Sequence, residues 1–79
     1  MEQHLKKIQD LTKAIFDNSY NVASYSVKNV GLKYTIKIFN NNSNIVFSIS
    51  GNYNNVVSVC RLILEKQIKD KGGLYEQKQ

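Results

Sequence analysis

The sequence predicts a single α+β domain in which a helix, three antiparallel strands and a second helix follow one another. Near both ends of the chain, apolar residues recur at intervals of three and four, which is typical of amphipathic helices. Between them, three stretches alternate apolar and polar residues, separated by segments rich in Asn, Gly and Ser. Two helical stripes and one sheet face must be buried. We therefore expect an αβββα domain, a three-stranded antiparallel meander with both helices packed on one face.

Length and composition bound the architecture. The chain has 79 residues, of which 42% are hydrophobic, enough for one modest core near the lower size limit for a domain without metal or disulfide. We expect one domain over residues 1–79, with its core in about 5–70 and a loose tail at 72–79. Cys60 is the only cysteine, which excludes an intramolecular disulfide and fits a reducing compartment. The N-terminus lacks the apolar segment of a signal peptide, and no run approaches the roughly 20 apolar residues of a membrane span. A cytoplasmic protein without membrane contact is expected.

The two helices are predicted from their apolar stripes and their ends. The stripe of the first helix, between Glu2 and Phe16, comprises Leu5, Ile8, Leu11, Ile15 and Phe16. For the second helix, the asparagines of "SGNYNN" supply N-cap chemistry, and a glycine of the pair at 72–73 is the expected C-cap. Its predicted buried stripe comprises Val56, Val57, Cys60, Ile63, Leu64 and Ile68.

The strands are predicted from alternation, which assigns each residue to one face of the sheet. The first strand falls in residues 20–28, the second in 32–39 and the third in 44–50. The residues expected to face the core are Ala23, Tyr25, Val27, Leu32, Tyr34, Ile36, Ile38, Ile45, Phe47 and Ile49. The asparagine-rich run of "FNNNSNIVFSIS" then becomes a hairpin tip, because asparagine tolerates positive φ and bonds its own backbone.

Few residues are suited to catalysis. His4 is expected to be a solvated residue in the first turn of the first helix, and Cys60 lies in an apolar stripe that predicts burial. The carboxylates are scattered singly, so no pair is placed for acid–base chemistry or for a metal. The glycines are explained as turn or cap residues, without a phosphate loop. We expect a non-enzyme with no cofactor and no metal site.

The sheet face turned away from the helices is the candidate binding surface. Alternation places lysines, hydroxyl residues and Phe39 there, and both outer strands offer open edges for strand addition or for a homodimer. An ordinary solvated sheet face explains the same pattern, so this alternative stays open. Other residues that alternation places on this face are Tyr20, Val22, Ser24, Ser26 and Ser50. The candidate partner-binding residues are Lys28, Lys33, Thr35, Lys37, Phe39, Val46 and Ser48.

The net charge of +5 permits attraction to nucleic acid or to an acidic protein surface. Ten of the eleven basic residues are lysines, and only Arg61 offers the planar fork used in specific phosphate or guanine contacts. An AT-rich coding sequence would also explain the excess of lysine and asparagine.

The order of elements resembles the double-stranded RNA-binding domain over nearly the whole chain. In that family a lysine-rich motif at the start of the second helix contacts phosphates across the major groove. The corresponding stretch here is "GNYNNVVSVCR", with Asn54 and Asn55 in place of lysines. The loop "KNVGLK" only echoes that family's minor-groove loop. The resemblance implies an RNA-binding topology without its phosphate clamp, so the counterion-release term would be weak.

Residues 5–66 also resemble small phage-encoded inhibitors, including anti-CRISPR proteins, in their short helix, asparagine-tipped meander and final amphipathic helix. Members of that kind that mimic DNA are acidic, whereas this chain is basic. The resemblance therefore implies binding to a host protein or ribonucleoprotein complex with an acidic surface, in the host cytosol. Our leading hypothesis is a non-catalytic inhibitor of this kind. The alternatives are a nucleic-acid-binding module and a homodimeric structural protein joined through sheet edges.

Overall fold

A computed structural model describes the backbone of residues 2–78 and the side chains of residues 3–70. The three strands form one antiparallel sheet in the order β1-β2-β3, and both helices pack on the same face of it. The predicted αβββα fold is confirmed. Its elements are α1 (Glu2–Asp17), β1 (Val22–Val30), β2 (Lys33–Asn40), β3 (Ile45–Gly51) and α2 (Tyr53–Lys78).

The core lies between the central strand β2 and the two helices. Tyr34, Ile36 and Ile38 alternate along β2 and are all buried, as the period of two predicts. Both helices add apolar side chains, and the Thr12 hydroxyl is buried among them but donates to the carbonyl of Ile8 at 2.7 Å. The buried residues contributed by the helices are Ile8, Thr12, Ile15, Val56, Val57 and Cys60.

The two helices run parallel to each other. At their first turns, the rings of His4 and Tyr53 stack with centroids 3.8 Å apart. At the far end, the Gln67 amide nitrogen donates to the carbonyls of Ile15 and Asn18 at 3.4 and 3.3 Å. His4 is exposed, as predicted, but its stacking on the second helix was not anticipated. Contacts at both ends fix the helices side by side over the sheet.

A β-bulge in each outer strand corrects the predicted orientations of Val22, Ile45 and Val46. In β1 the register shifts between Val22 and Ser24, so Val22 packs against the core and not on the outer face. In β3 the register shifts beside Val46, and Ile45 pairs with Phe39. Ile45 therefore lies on the outer face, although alternation predicts the core. One inserted residue reverses the faces of all residues beyond it, which is why simple alternation fails here.

Leu32 is not a core residue. It lies in the two-residue turn between β1 and β2 and is 79% exposed. Gly31 takes φ of +60°, as the first central residue of a type II′ hairpin turn requires. The Asn29 side chain donates to the carbonyls of Gly31 and Lys33, which fixes the turn. This short turn begins β2 at Lys33, one residue later than alternation predicts.

The asparagine run forms the hairpin tip between β2 and β3, as predicted. The side-chain oxygen of Asn40 accepts hydrogen bonds from the backbone N–H groups of Asn42 and Asn44 at 2.9 and 3.0 Å. The sequence predicts positive φ at an asparagine of the tip, but in the structure Ser43 takes the left-handed conformation, with φ of +66°. The side-chain hydrogen bonds of Asn40 stabilise the hairpin tip, and this structural role accounts for most of the asparagine run.

Helix α2 begins as predicted but extends further than predicted. The Asn52 side chain accepts from the backbone N–H of Asn55 at 2.9 Å and caps the first turn. The helix continues to Lys78, past the glycines at 72–73, because glycine costs a helix only about 1 kcal/mol relative to alanine. Ile68, predicted to be buried, is exposed because α1 ends near Gln67 and leaves the next turn uncovered. The predicted loose packing of 72–79 lies outside the described side chains.

Replacing Ile36 by alanine should lower the free energy of unfolding by about 2–5 kcal/mol, because it leaves a cavity under both helices. Leu32→Ala, the matched control, should change it by less than about 0.5 kcal/mol. Urea denaturation followed by circular dichroism measures both. An equal loss in the two variants would contradict the core described above.

Candidate binding face

The outer face of the sheet carries aligned rows of side chains, which we call the basic face. One row holds Ser24, Phe39 and Ile45; the next holds Ser26, Lys37 and Ser48; the third holds Lys28, Thr35 and Ser50. Val30 and Lys33 close it at the hairpin turn. Three lysines thus share a face with several hydroxyl groups and one aromatic ring.

The charge of this face is not compensated. The sequence has no Asp or Glu between Asp17 and Glu65, so the whole sheet lacks carboxylates. Among the described side chains, ion pairs occur only within α1, where Lys6 pairs with Asp10 and Lys13 with Asp17. The hydrogen bond and charge of Asp17 raise the pKa of Lys13. The lysines of the basic face have no such partner within residues 3–70, which leaves them available to an external anion.

The central part of the face is partly shielded by neighbouring strands. The hydroxyl groups of Thr35 and Ser50 lie 3.2 Å apart across β2 and β3. Thr35, Lys37 and Phe39 are half-buried, whereas Lys28, Lys33 and Ser48 on the periphery are exposed. The half-buried positions lose less side-chain entropy on binding than freely mobile ones. A partner would meet fixed side chains along the central strand β2, with the more mobile Lys28 and Lys33 at the periphery.

Six of the seven predicted site residues lie together on this face: Lys28, Lys33, Thr35, Lys37, Phe39 and Ser48. Val46 does not. It lies in the bulge of β3 and lines a groove with Ile38 and Ile63, on the side of the helices. Ile45 lies on the outer face, where Val46 was predicted, and pairs with Phe39. Periodicity cannot find this exchange, because no residue in "NIVFS" marks the bulge.

The groove is a second feature that the sequence does not reveal. It has a volume of about 270 Å³ and lies where the bulged ends of the sheet meet the C-terminal end of α1 and the middle of α2. Its lining is mainly apolar, and it includes Gln67. The Gln67 side-chain oxygen is buried and accepts no hydrogen bond from the described residues. Satisfying that oxygen would remove a cost of about 1–3 kcal/mol.

Groups with potential chemical reactivity are dispersed. No cluster of three or more His, Cys, Asp or Glu side chains that could hold a metal occurs in the described part of the chain. Cys60 is fully buried in the core, and burial raises the pKa of its thiol to about 11. Its reactive thiolate is therefore scarce at neutral pH.

No described helix is long and apolar enough to cross a membrane. Comparison of the chain with protein-family models, with curated proteins and with solved structures found no significant match.

Cys60 should react with a thiol-specific disulfide reagent far more slowly in the native protein than in urea at pH 8, because burial both blocks access and keeps the thiol protonated. The same pKa shift has a consequence for stability. The pKa of the Cys60 thiol is 9.0 in the unfolded chain and about 11 in the folded protein. The contribution of the buried thiol to stability is therefore complete below pH 9 and is lost as the pH rises through 11.

The labelling rate of Cys60 is followed by the absorbance of the thiolate that the reagent releases. The pH dependence of stability is followed as the difference in unfolding midpoint between wild type and Cys60→Ala from pH 8 to pH 11. Rapid labelling of the native protein would contradict the buried position.

Proposed function

We propose that this chain is a non-catalytic binding protein that inhibits a host protein complex, in the manner of small phage-encoded inhibitors of the anti-CRISPR type. The basic face is its binding surface, and an acidic region of a host protein or ribonucleoprotein is its target. The observation that carries the proposal is the unpaired charge of Lys28, Lys33 and Lys37 on a sheet without carboxylates.

The chemistry of this face suits a protein partner. Lysine ammonium groups on the rim steer an acidic surface towards the face and raise the association rate. Serine and threonine hydroxyls both donate and accept hydrogen bonds, so they can pair with carboxylates or backbone amides. Phe39 and Ile45 lie in the row at one end of the face, and apolar side chains next to polar ones are typical of protein interfaces.

The same features favour a protein over nucleic acid. Contacts from three lysines would give a slope of only about −2.7 in log K against log salt, well below that of proteins with 6–10 phosphate contacts. Asn54 and Asn55 lie exposed at the start of α2, where the double-stranded RNA-binding domain carries lysines. Arg61 lies on α2, on the opposite side of the sheet from the basic face.

A nucleic-acid-binding module remains the second candidate, favoured by one observation: Phe39 lies beside Lys37 on an open sheet face, where a base could stack. Salt titration separates the two candidates. We expect no retention of mixed DNA or RNA duplexes, or of single strands, above about 50 mM salt, where contacts to many phosphates would hold. Tight, salt-dependent binding there would favour the second candidate.

Reversing the charge of the basic face should abolish capture of the host partner. The variant Lys33→Glu with Lys37→Glu lowers the net charge from +5 to +1 and leaves the core untouched, because neither side chain is buried. We expect at least a tenfold loss of binding, equivalent to about 1.4 kcal/mol. The measurement is affinity capture from nuclease-treated host lysate with mass spectrometry, followed by titration of the purified partner.

The matched control is Lys7→Glu with Lys69→Glu, which changes the net charge equally at exposed positions on the helices. It should keep the interaction. Equal losses in both double variants would indicate a general charge effect and not a specific face. Capture of a host protein only from lysate that has not been treated with nuclease would contradict the proposal.

A further inference from the structure

The two edges of the sheet differ in how they are protected. β1 carries Lys28 on its edge, and a charged residue there discourages pairing with another strand. β3, with the sequence "IVFSISG", carries no charged residue and no proline. Its bulge lies at one end, so residues 47–51 keep regular pairing with β2 and leave an undistorted outer edge.

We propose that the β3 edge is a homodimer interface, at which β3 pairs antiparallel with β3 of a second copy to form a continuous six-stranded sheet. A two-fold axis at Ser48 places Phe47 opposite Ile49 of the second copy. Pairing about this axis joins residues equally far from Ser48, so Phe47 meets Ile49 on the helix side and Ser48 meets Ser48 on the basic face, while Ser50 lies opposite the bulge residue Val46.

The half-buried state of Phe47 and Ile49 supports this edge. Both pack against the core but are incompletely covered, because they lie in the last strand of the sheet. A further strand beside them would cover the exposed parts of both side chains. Covering that apolar area favours association.

Helix α2 carries two exposed apolar side chains near this edge, on a side of the helix that also holds Asn55 and Lys66. Val59 and Leu62 are 37% and 65% exposed and follow Asn55 by four and seven residues, on one side of the helix. The Cβ of Asn55 lies 3.6 Å from where a side chain on Gly51 would begin, which places this side of the helix towards β3. In the dimer, Val59 and Leu62 would approach the same residues of the second copy.

The spacing of the layers allows this contact. Helix α2 contacts both β2 and β3, and an axis midway between these two strands would lie about half a strand spacing inside β3. Pairing of the two β3 strands would then separate the two α2 axes by about 10 Å, close to the usual interaxial distance of 8–10 Å. Strand pairing and helix packing are therefore compatible in one interface.

The charge of the chain also permits self-association here. Lys37 lies beside Ser48 on the neighbouring strand, so the two Lys37 residues of the dimer would be three strand spacings, about 14 Å, apart. That separation exceeds the screening length of about 8 Å at 0.15 M salt but not the length of about 30 Å at 0.01 M. Dimerisation should weaken as the salt concentration falls.

The test is sedimentation velocity of the purified protein from about 1 µM to about 1 mM, with Ser48→Lys as the test variant and Ser26→Lys as its matched control. Both serines flank Lys37 in the same row, one on each outer strand. Each variant adds one positive charge beside Lys37, but only Ser48→Lys adds it at the β3 edge. Circular dichroism checks that both variants fold.

Wild type and Ser26→Lys should reach twice the 9.1 kDa chain mass, whereas the dissociation constant of Ser48→Lys should rise at least tenfold. A monomeric wild type throughout the range, or loss of the dimer only in Ser26→Lys, would overturn the proposal. Equal loss in both variants would also overturn it, since it would place the contact on the basic face. The measurement uses no partner, so its outcome is separate from that of the proposed function.

Discussion

The structure depends on the central strand β2, which is paired along both of its edges. Double pairing fixes the face of every β2 residue: Tyr34, Ile36 and Ile38 must enter the core, and Lys33, Thr35 and Lys37 must leave it. The helices cover only one face, so the lysines remain opposite them. The same alternation that builds the core therefore also creates the candidate binding face, and neither can change register without the other.

The order of elements and most of the core could be predicted from periodicity, because long apolar stripes in α1 and strict alternation in β2 leave few alternatives. Predictions failed where one residue breaks the period. The bulges turned Val22 and Ile45 to the opposite faces, and the type II′ turn took Leu32 out of the strand. Apart from Gly31, no residue type in the sequence indicates either the bulges or the type II′ turn. Contacts between distant residues, such as the stacking of His4 on Tyr53, depend on helix direction and were beyond the reach of pattern alone.

The distribution of charge separates the two sides of the molecule. The charges of two lysines in α1 are compensated by aspartates four residues further along the same helix. Exposed ion pairs of this kind contribute little to stability. The sheet has no acidic residue that could pair with its lysines in this way. Its lysines make no ion pair among the described residues, so we expect substitutions of these lysines to leave the structure intact. The residues that build the core and those of the proposed binding surface are thus largely different.

The parallel arrangement of the helices has a consequence for how the chain folds. Both hairpins join neighbouring strands through short turns, and such hairpins form within about 1–10 µs. The contact between Gln67 and Ile15, by contrast, closes a loop of 52 residues, and its entropic cost is met only when α2 reaches α1 across the finished sheet. We therefore expect docking of α1 to complete the fold, and a chain shortened from its N-terminus to expose the apolar face of the sheet and to aggregate.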